Sequence, residues 1–539
     1  MTLAGLMMDR PLLVAPLMQF AAAYHGDTAI VTRSIEGPLH RTTYAETYRR
    51  IQQLAHALLT LGVKPGDRVA TLAWNTWRHF ELYYAVAGIG AVCHTVNPRL
   101  PAEQIRFILN HAEDRLVFFD ISFAAIAAEL QGTIPSVRHF IALTDAAHMP
   151  PELVGVPAYE DLLAPQPETF IWPEFDENTA ASLCYTSGTT GMPKGVLYSH
   201  RSLVLHSYGM MSACGINGRD VALPVVPMFH VNAWGVPYAA PMVGAAQVYA
   251  GRALDGASLF DLMDSEGVTC AQGVPTIWMG FIAHMRAVGR KPKNLARVLI
   301  GGSAAPPAMV EAFEHEFAVE VNQGWGMTEM APLGVVNTLK RKFENLSPAE
   351  KIALKSKQGH ALFNVDLRLL DDEDNEIAHD GTTSGRLQVR GPWIVKAYFK
   401  EPDSALTADG WFDTGDIATL DADGYLHITD RAKDIIKSGG EWISSVDLEN
   451  AVAGHPEIAL AAVIGVPHPR WQERPLLVCV AKGDSRPTLA EMNLYLGQKV
   501  PKWWLPDALE YVAALPIGPT GKIQKARPRE QFKDYRLAG

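Results

Sequence analysis

The sequence predicts an α/β fold, with a large N-terminal domain of βα subdomains that includes a small β subdomain, and a separate α+β domain at the C-terminus. Strand and helix patterns alternate over residues 68–96 and again over 180–300, which is typical of parallel strands joined by crossover helices. A chain of 539 residues is also too long for a single hydrophobic core. We expect an N-terminal domain over 1–429, with the β subdomain at about 340–429, and a C-terminal domain over 430–539.

The first βα units can be placed from local signals. Thr43-Tyr-Ala-Glu46 is a capping box, which starts a helix that Gly62 ends. Arg68–Ala73 predicts a strand, residues 77–90 predict a helix with an apolar face, and Ala91–Val96 predicts the next strand. Strand, helix and strand in this order predict a parallel pair.

Later segments indicate a binding edge and then a change of architecture. Thr269–Gln272 and Arg297–Ile300 are apolar runs that lead into glycine-rich turns. Turns at the carboxyl ends of such strands are where open α/β sheets bind ligands. Further along, short alternating strands with hairpin turns predict the antiparallel β subdomain. These strands are Arg386–Arg390, Ile417–Leu420 and Gly424–Thr429.

The last part of the chain has a pattern of its own. A helix is predicted over about 445–454, strands over Ala459–Gly465 and Leu476–Lys482, and a further helix after them. This mixture predicts an α+β unit that packs around its own core.

Composition limits the class of function. The net charge of −11 argues against nucleic acid as the main partner, because proteins that follow a phosphate backbone present basic surfaces. No run approaches the roughly 20 apolar residues that a membrane span requires. The five cysteines are widely spaced, without a Cys-x-x-Cys pair, which predicts neither disulfides nor a zinc site. We therefore expect a protein of the reducing cytoplasm.

The segment Tyr185-Thr-Ser-Gly-Thr-Thr-Gly-Met-Pro-Lys-Gly195 has the composition of a phosphate-binding loop. Glycine at 188, 191 and 195 lets backbone N–H groups approach an anion. The side chains that add donors and charge are Ser187, Thr189, Thr190 and Lys194. The spacing differs from the Gly-x4-Gly-Lys-Ser/Thr pattern of the P-loop. The segment therefore indicates a nucleotide phosphate site outside the P-loop class.

This segment resembles the signature of the AMP-forming acyl-CoA synthetases, members of the adenylate-forming superfamily that also contains luciferases and the adenylation domains of peptide synthetases. Further segments similar to the family follow in the family's order: Gly301–Pro306, Gly324–Glu329, Trp411–Asp416 and Pro519–Lys522. The resemblance covers nearly the whole chain. It implies an ATP-dependent acid–CoA ligase with a mobile C-terminal domain, which uses ATP, Mg²⁺ and CoA and forms a homodimer.

Activation of a carboxylic acid by ATP brings negative groups together, so it needs positive charge and positioning more than a covalent nucleophile. The sequence shows no convincing Ser-His-Asp or Cys-His set. It does offer these charge-handling groups: Thr189, Lys194, Glu329 and Lys522. The resemblance assigns Thr189 and Glu329 to magnesium, and Lys522 to the substrate carboxylate and the α-phosphate. Lys525 is a chemically similar alternative three residues further on.

The resemblance assigns further residues to the nucleotide and to CoA. Trp325 is implied to stack on adenine, Asp416 to accept hydrogen bonds from the ribose hydroxyls, and Arg431 to contact the ribose. The full set of candidates is Thr186, Ser187, Gly188, Thr190, Gly191, Lys194, Gly302, Ser303, Ala304, Gly324, Trp325, Gly326, Met327, Thr328, Asp416, Ile428, Arg431, Lys437, Gly439, Gly440, Glu441 and Trp442.

Asp430 matches the hinge about which the family's C-terminal domain turns once the acyl-adenylate has formed. The turn is implied to withdraw Lys522 and to bring Lys437–Trp442 to the adenylate. Gly439 and Gly440 would leave room for the thin pantetheine arm of CoA. Such gating exposes one site to two reactions in turn.

Pro227–Tyr238 is expected to form one wall of the acid pocket. His230 resembles the family's aromatic residue at the carboxylate end and is expected to have a catalytic role there, and Trp234 resembles a gate residue of fatty-acyl members. The residues expected to line the acid pocket are His230, Val231, Trp234, Gly235, Gly302, Gly326, Met327, Ala331 and Pro332.

The acid pocket predicts the class of substrate. It shows no acidic anchor for a substrate amine and no cationic anchor for a second carboxylate, so an apolar monocarboxylate fits best. Bulky residues, Trp234, Trp325 and Met327, favour a short or medium chain. Overall, the chain resembles the branch of short- to medium-chain synthetases that includes the methylmercaptopropionate-CoA ligases of dimethylsulfoniopropionate breakdown. Methylmercaptopropionate is therefore the first candidate acid.

Three other functions stay open at this point. A stand-alone adenylation enzyme would load the acyl group onto a carrier protein, but the chain has no fused carrier and no amino-acid-binding Asp near His230. A luciferase-like oxygenase would need an extended aromatic substrate. A non-catalytic nucleotide-binding protein would be expected to lack Glu329 or Lys522. Formation of acyl-CoA together with stoichiometric AMP distinguishes the ligase from all three.

Overall fold

The computed structural model describes residues 3–186, 193–439, 441–518 and 522–537. Within this part of the chain, no helix is long and apolar enough to cross a membrane. All five cysteines lie in it, and all are buried and unpaired.

The strands of the described residues are numbered in chain order. They are β1 (Ala29–Arg33), β2 (Leu39–Thr43), β3 (Arg68–Leu72), β4 (Val92–Thr95), β5 (Leu116–Phe119), β6 (His139–Ala142), β7 (Ala180–Tyr185), β8 (Gly195–Ser199), β9 (Val221–Pro224), β10 (Ala246–Tyr249), β11 (Cys270–Gly273), β12 (Arg297–Ile300), β13 (Glu320–Gly326), β14 (Leu333–Val336), β15 (His360–Ala361), β16 (Asp366–Leu370), β17 (Gly385–Arg390), β18 (Phe412–Leu420), β19 (Leu426–Arg431), β20 (Ile436–Ser438), β21 (Glu441–Ile443), β22 (Ile458–His468), β23 (Gln472–Ala481) and β24 (Ala508–Tyr511).

The α-helices are numbered in the same way. They are α1 (Ala15–Tyr24), α2 (Tyr44–Thr60), α3 (Trp77–Gly88), α4 (Ala102–Ala112), α5 (Ala124–Leu130), α6 (Tyr159–Leu163), α7 (His200–Cys214), α8 (Val236–Val243), α9 (Gly256–Ser265), α10 (Pro275–Val288), α11 (Pro307–Glu311), α12 (Pro348–Lys355), α13 (Ser445–Ala453), α14 (Leu489–Leu496) and α15 (Ala526–Gln531).

Two large sheets form the N-terminal domain. The first has the order β6-β5-β3-β4-β7-β8, parallel except for the antiparallel pair β7–β8. The second has the order β15-β14-β13-β12-β11-β9-β10-β1-β2, parallel from β13 to β1 with antiparallel edges. The predicted βα architecture is confirmed. The carboxyl ends of β9, β12 and β13 lead into the segments that resembled the family's acid and nucleotide loops.

Local signals and packing agree in the first helices. Thr43 caps α2 and forms the predicted capping box with Glu46. Every residue of α3 is buried, and the helix packs against strands of both large sheets, β4 and β7 on one and β1 on the other. Most of α3 is apolar, as a helix covered on all sides requires, and its buried charges are paired: Glu81 with Arg50 and Arg78 with Glu160.

The small antiparallel sheet has the order β16-β17-β18-β19. It begins at Asp366, later than the expected start near residue 340, because β15 pairs with β14 of the second large sheet instead. Strand β19 runs to Arg431, so the predicted hinge residue Asp430 is the partner of Ile417 in a paired strand. The boundary predicted at 429/430 therefore falls inside β19.

The C-terminal unit contains a sheet of order β21-β20-β23-β22, with β24 parallel to β23. Its core includes residues of α13 and α14, which agrees with the predicted α+β unit. Helix α13 also packs against β19 of the small sheet. Polar contacts also cross there: the Ser444 hydroxyl donates to the Thr429 carbonyl, His427 Nε2 lies 3.2 Å from Asp447 Oδ1, and Ser445 donates to the Asp430 carboxylate.

Candidate active site

A cavity of about 380 Å³ opens where the carboxyl ends of β12 and β13 meet the small sheet and the loop that carries Lys522. Residues from the two large sheets, the small sheet and the C-terminal unit supply its walls. The predicted site residues on its surface are Thr186, His230, Val231, Trp234, Gly302, Gly324, Trp325, Gly326, Met327, Thr328, Glu329, Pro332, Arg431 and Lys522.

The phosphate-loop segment is held at its two ends beside this cavity. The Thr186 N–H donates to the Lys194 carbonyl at 2.9 Å, and Tyr185 pairs with Gly195 in the β7–β8 ladder. Lys194 is exposed next to the cavity, and Thr186 lines it. The predicted phosphate ligands Ser187, Gly188, Thr189, Thr190 and Gly191 lie outside the described residues.

Glu329 is a buried carboxylate on the cavity wall, 8% exposed. Its Oε1 accepts a hydrogen bond of 2.9 Å from the Tyr398 hydroxyl. Burial raises the pKa of Glu329, and the hydrogen bond from Tyr398 partly offsets this. The Lys194 ammonium lies 4.7 Å from the centre of the Tyr398 ring. Tyr398 therefore connects the end of the phosphate-loop segment with Glu329.

The residues fit a magnesium ion that is held jointly with ATP. Among the described residues, no group of three or more His, Cys, Asp or Glu side chains could hold a metal by itself. Mg²⁺ commonly binds one or two carboxylates together with substrate phosphates and water. Glu329 supplies such a carboxylate on the cavity surface, and the bound ion would neutralise phosphate charge.

Asp416 and Arg431 face each other across the paired strands β18 and β19. Arg431 Nε donates to Asp416 Oδ1 at 2.8 Å, and the Trp325 indole N–H donates to Oδ2 at 3.0 Å. Burial raises the pKa of Asp416, and these two partners favour its ionised form. Arg431 and Trp325 line the cavity, whereas Asp416 lies directly behind them, 2% exposed. Two predicted ribose residues and the predicted adenine residue thus form one connected group.

Lys522 reaches the same cavity from the far end of the chain. Its carbonyl accepts a hydrogen bond of 2.7 Å from the Gly518 N–H, across a loop that Ile517 and Ile523 close. A Cβ placed on Gly302 would lie 3.6 Å from Lys522 Cε. Lys522 is exposed as a whole residue, but its side chain lines the cavity, and partial desolvation there lowers the pKa of Lys522 to about 8.

Lys525, the alternative lysine, lies elsewhere. Its Nζ is 2.9 Å from Glu449 Oε1 and 2.6 Å from the Ser445 hydroxyl. Ser445 in turn donates from both its N–H and its hydroxyl to the Asp430 carboxylate, at 2.7 and 2.6 Å. The structure therefore places Lys522 at the cavity and Lys525 in a polar group beside the predicted hinge.

His230 lies at the point where the cavity meets Lys522. Burial lowers the pKa of His230 to about 4, and the positive charge of Lys522 contributes to this lowering. The imidazole is therefore neutral at pH 7, so it can donate or accept a hydrogen bond but adds no charge beside Lys522.

Trp234 closes one end of the cavity. Its indole Cη2 lies 3.0 Å from the position that a Cβ on Gly301 would occupy. Only 8% of the Trp234 surface is exposed. A side chain at 301 would therefore crowd the ring, and the ring and the glycine turn together form an apolar end wall.

Some predicted site residues lie off the cavity surface. A Cβ on Gly235 would lie 2.8 Å from the His206 ring, and Ala331 is buried behind Pro332. These two are corrections to the predicted acid pocket. Ser303 and Ala304 follow Gly302 on its turn without reaching the cavity, and Ile428 lies within β19.

The predicted CoA residues lie together, away from the cavity, on the β20–β21 hairpin of the C-terminal unit. They are Lys437, Gly439, Glu441 and Trp442, and Gly440 lies outside the described residues. Gly439 has a φ of +63°, and a Cβ there would lie 2.7 Å from the Trp471 ring. Trp471 therefore fills the space beside this glycine in the present arrangement of the chain, and a role for Gly439 towards pantetheine stays a prediction.

The structure adds residues that sequence reasoning missed. Tyr398, Leu333 and the stretch Phe412–Gly415 also line the cavity. The stretch belongs to the same segment as Asp416, so its neighbours could have been included. Tyr398 gave no periodic or motif signal, and only its contacts with Glu329 and Lys194 reveal it.

Taken together, the lysine on the cavity wall, the neutral histidine, the Asp416–Arg431 pair and the held phosphate-loop segment fit an adenylate-forming enzyme. Residues 17–399 match the AMP-binding enzyme family, and residues 447–522 match the AMP-binding enzyme C-terminal domain. The chain belongs to the AMP-binding enzyme family, and it is an acid–thiol ligase of the adenylate-forming kind, as the sequence predicted.

Three curated relatives are similar over almost their whole length. The 3-methylmercaptopropionyl-CoA ligase of Ruegeria lacuscaerulensis is 49% identical, covering 98% of this chain and 99% of the relative. The medium-chain-fatty-acid–CoA ligase of Ectopseudomonas oleovorans is 48% identical, with coverage of 99% and 98%. The long-chain-fatty-acid–CoA ligase of Thermus thermophilus is also 48% identical, with coverage of 98% and 97%. Overall sequence identity therefore does not distinguish a methylmercaptopropionate ligase from a medium-chain or a long-chain fatty-acid ligase.

The fold is shared with solved structures. The anthranilate CoA ligase in complex with anthranoyl-AMP superposes with a TM-score of 0.86 at 22% identity, covering 97% of this chain and 98% of that one. This likeness supports the fold, a large N-terminal domain followed by a small C-terminal one.

Proposed function

We propose that this chain joins an apolar short- or medium-chain carboxylic acid to CoA, with methylmercaptopropionate as the first candidate. The acid's carboxylate attacks the α-phosphate of ATP, which gives acyl-AMP and releases pyrophosphate. The CoA thiol then attacks the acyl carbon, which gives the thioester, AMP and a proton. The geometry bears on the first step most directly.

The observation that carries this proposal is that the Lys522 side chain and the Trp234 indole both lie beside the Gly302 turn on the cavity wall: a Cβ on Gly302 would lie 3.6 Å from Lys522 Cε and 3.9 Å from Trp234 Cζ2. The ammonium can neutralise the carboxylate and the α-phosphate as they approach. The indole limits how far the acyl chain can extend. A carboxylate beside Lys522 would therefore direct its apolar tail towards Val231 and Trp234.

The size of the cavity supports a small acid. About 380 Å³ lies near the lower end of the roughly 300–1,000 Å³ that is usual for small-molecule sites, and a nucleotide and an acid have to share it. A thioether is nearly the size of a methylene. An apolar pocket discriminates between acids that differ by one methylene by only about 1–3 kcal/mol, so butyrate and pentanoate should also react.

We further propose that the C-terminal domain turns about Asp430 between the two reactions. The arrangement described above has Lys522 in the cavity and the β20–β21 hairpin outside it. This is the arrangement that adenylation needs. Transfer to CoA would require Lys522 to leave and the hairpin to approach. Magnesium held by Glu329 and Thr189, a homodimer and a cytoplasmic location stay predictions.

A substrate panel tests the proposal. Straight-chain acids from two to ten carbons and their methylthio counterparts would be compared by kcat/KM, with ATP, Mg²⁺ and CoA. We expect a maximum at short or medium chains and stoichiometric acyl-CoA and AMP. A maximum at the longest acids would contradict the chain-length assignment, and acyl-AMP that never reaches CoA would favour transfer to a carrier protein.

A further inference from the structure

The end wall of the acid pocket is built on an unusual piece of backbone. Val231, Asn232, Ala233 and Trp234 have φ angles of 47°, 51°, 48° and 56°, and Gly235 follows at 83°. Left-handed backbone is unfavourable for residues that carry a Cβ, most of all for a β-branched residue such as Val231. A run of four such residues persists only when surrounding contacts hold it.

Asn232 makes those contacts. Its side-chain Nδ2 donates to the Ser182 hydroxyl at 3.1 Å, and the Cys184 thiol lies 3.6 Å from its Oδ1. Ser182 in turn donates to the Cys93 carbonyl at 3.1 Å. Both Asn232 and Ser182 are buried, 2% and 0% exposed. We call Asn232, Ser182 and Cys184 the amide clamp.

The amide clamp ties the turn to a rigid support. Ser182 and Cys184 are both on β7, which is paired on both sides, with β4 and β8. A buried polar group whose hydrogen bonds are all made fixes one arrangement of the atoms around it. Asparagine is also, after glycine, among the residues that enter the left-handed region most readily. Both the intrinsic preference of asparagine and its buried hydrogen bonds therefore favour the left-handed conformation at position 232.

The clamp acts on the pocket through its neighbours in sequence. Val231 lines the cavity on one side of Asn232, and Trp234 closes it two residues later. The Trp234 ring packs closely against the Gly301 turn, since a Cβ on Gly301 would lie only 3.0 Å from the ring. If the turn relaxed towards an ordinary right-handed conformation, the indole would move with it.

We propose that Asn232 is a specificity-determining positioning residue, held by Ser182 and Cys184, that fixes the left-handed turn and thereby the depth of the acid pocket. This proposal rests on the proposed activation of an apolar acid. According to the proposal, two side chains limit the length of the acyl chain. The Trp234 indole contacts the substrate, and the buried Asn232 amide acts by positioning that indole.

The test is the chain-length profile of Asn232→Ala and Ser182→Ala, measured as acid-dependent exchange of pyrophosphate into ATP. This assay reports adenylation alone, so a failure of the transfer to CoA would overturn the proposed ligase function without affecting this result. We expect the ratio of kcat/KM for octanoate to that for butyrate to rise about tenfold in both variants, with the KM for ATP unchanged.

Three comparisons sharpen the result. Asn232→Gly keeps a residue that accepts positive φ and should change the profile less than Asn232→Ala. Asn364→Ala is the matched control, because Asn364 is exposed and also has positive φ, 74°, and its profile should stay that of the wild type. Ser182→Ala leaves the turn's own residues intact, so it reports on the clamp if Asn232→Ala fails to fold. An equal loss of activity for all acids, with the octanoate-to-butyrate ratio unchanged, would overturn the proposal.

Discussion

Replacement of Lys522 by alanine removes an ammonium group from the wall of the cavity that His230, Glu329 and the Gly302 turn also line. A unit charge about 4 Å from a negative oxygen contributes about 4 kcal/mol at an effective dielectric constant of about 20. Removing one stabiliser of transition-state charge typically lowers kcat by about 10²–10³, and the two estimates agree. We expect Lys522→Ala to lower the rate of adenylation by this factor.

The assay separates the two half-reactions. Adenylation is followed by acid-dependent pyrophosphate exchange, and thioester formation by supplying preformed acyl-adenylate and CoA. Because Lys522 lies with the adenylation groups and the β20–β21 hairpin does not, thioester formation should stay close to the wild-type rate. Lys482→Ala, a lysine of the same domain that lies away from the cavity, is the control and should leave both rates unchanged. Equal losses in both half-reactions of Lys522→Ala would refute the assignment.

Three further results are expected from the side chains at the cavity and beside the hinge. The pKa of Lys522 is lowered to about 8. Because the lysine is charged mainly below its pKa, kcat/KM for adenylation should fall as pH rises through about 8. Lys522→Arg should remove that fall, and a pH-independent kcat/KM in the wild type would contradict the prediction. Trp234→Ala should open the end of the acid pocket. In the kcat/KM panel, the preference for butyrate over octanoate should then fall at least about tenfold. An unchanged chain-length profile would exclude the role of Trp234 as a gate. Lys525→Met leaves the Glu449 carboxylate without its cation, which should cost about 3 kcal/mol and lower the melting temperature. Adding Glu449→Gln should recover much of that loss, and no recovery would show that the ion pair is not the cause.

Much of the site was predictable because its residues stand in short segments with chemical reasons for their composition. Lys522, Glu329, Arg431 and His230 were each named from such segments, and the structure brings all four to one cavity. The glycines of the 301–302 turn follow directly from β12, so their place at a strand's carboxyl end was also predictable. Each of these segments was recognisable from local structure alone, such as a turn, the end of a strand or a helix cap.

The contacts between segments were not predictable in the same way. Asp416 receives hydrogen bonds from Arg431 and Trp325, which stand in separate motifs. Tyr398 joins Lys194 and Glu329, and nothing in its own neighbourhood in the sequence marks it. Such contacts depend on how the small sheet docks on the large one, and that depends on the summed packing of many residues.

By itself, the sequence determined the class of chemistry, because phosphate binding and acid activation need particular residue types within short stretches of chain. It also determined most strands and helices, through capping, glycine and apolar periodicity. Only the tertiary structure showed that Lys525 pairs with Glu449 beside Asp430, and that residues 231–235 form a left-handed turn. The reason is physical: local preference opposes positive φ at Val231, and only buried contacts with β7, about 50 residues earlier in the chain, can overcome it.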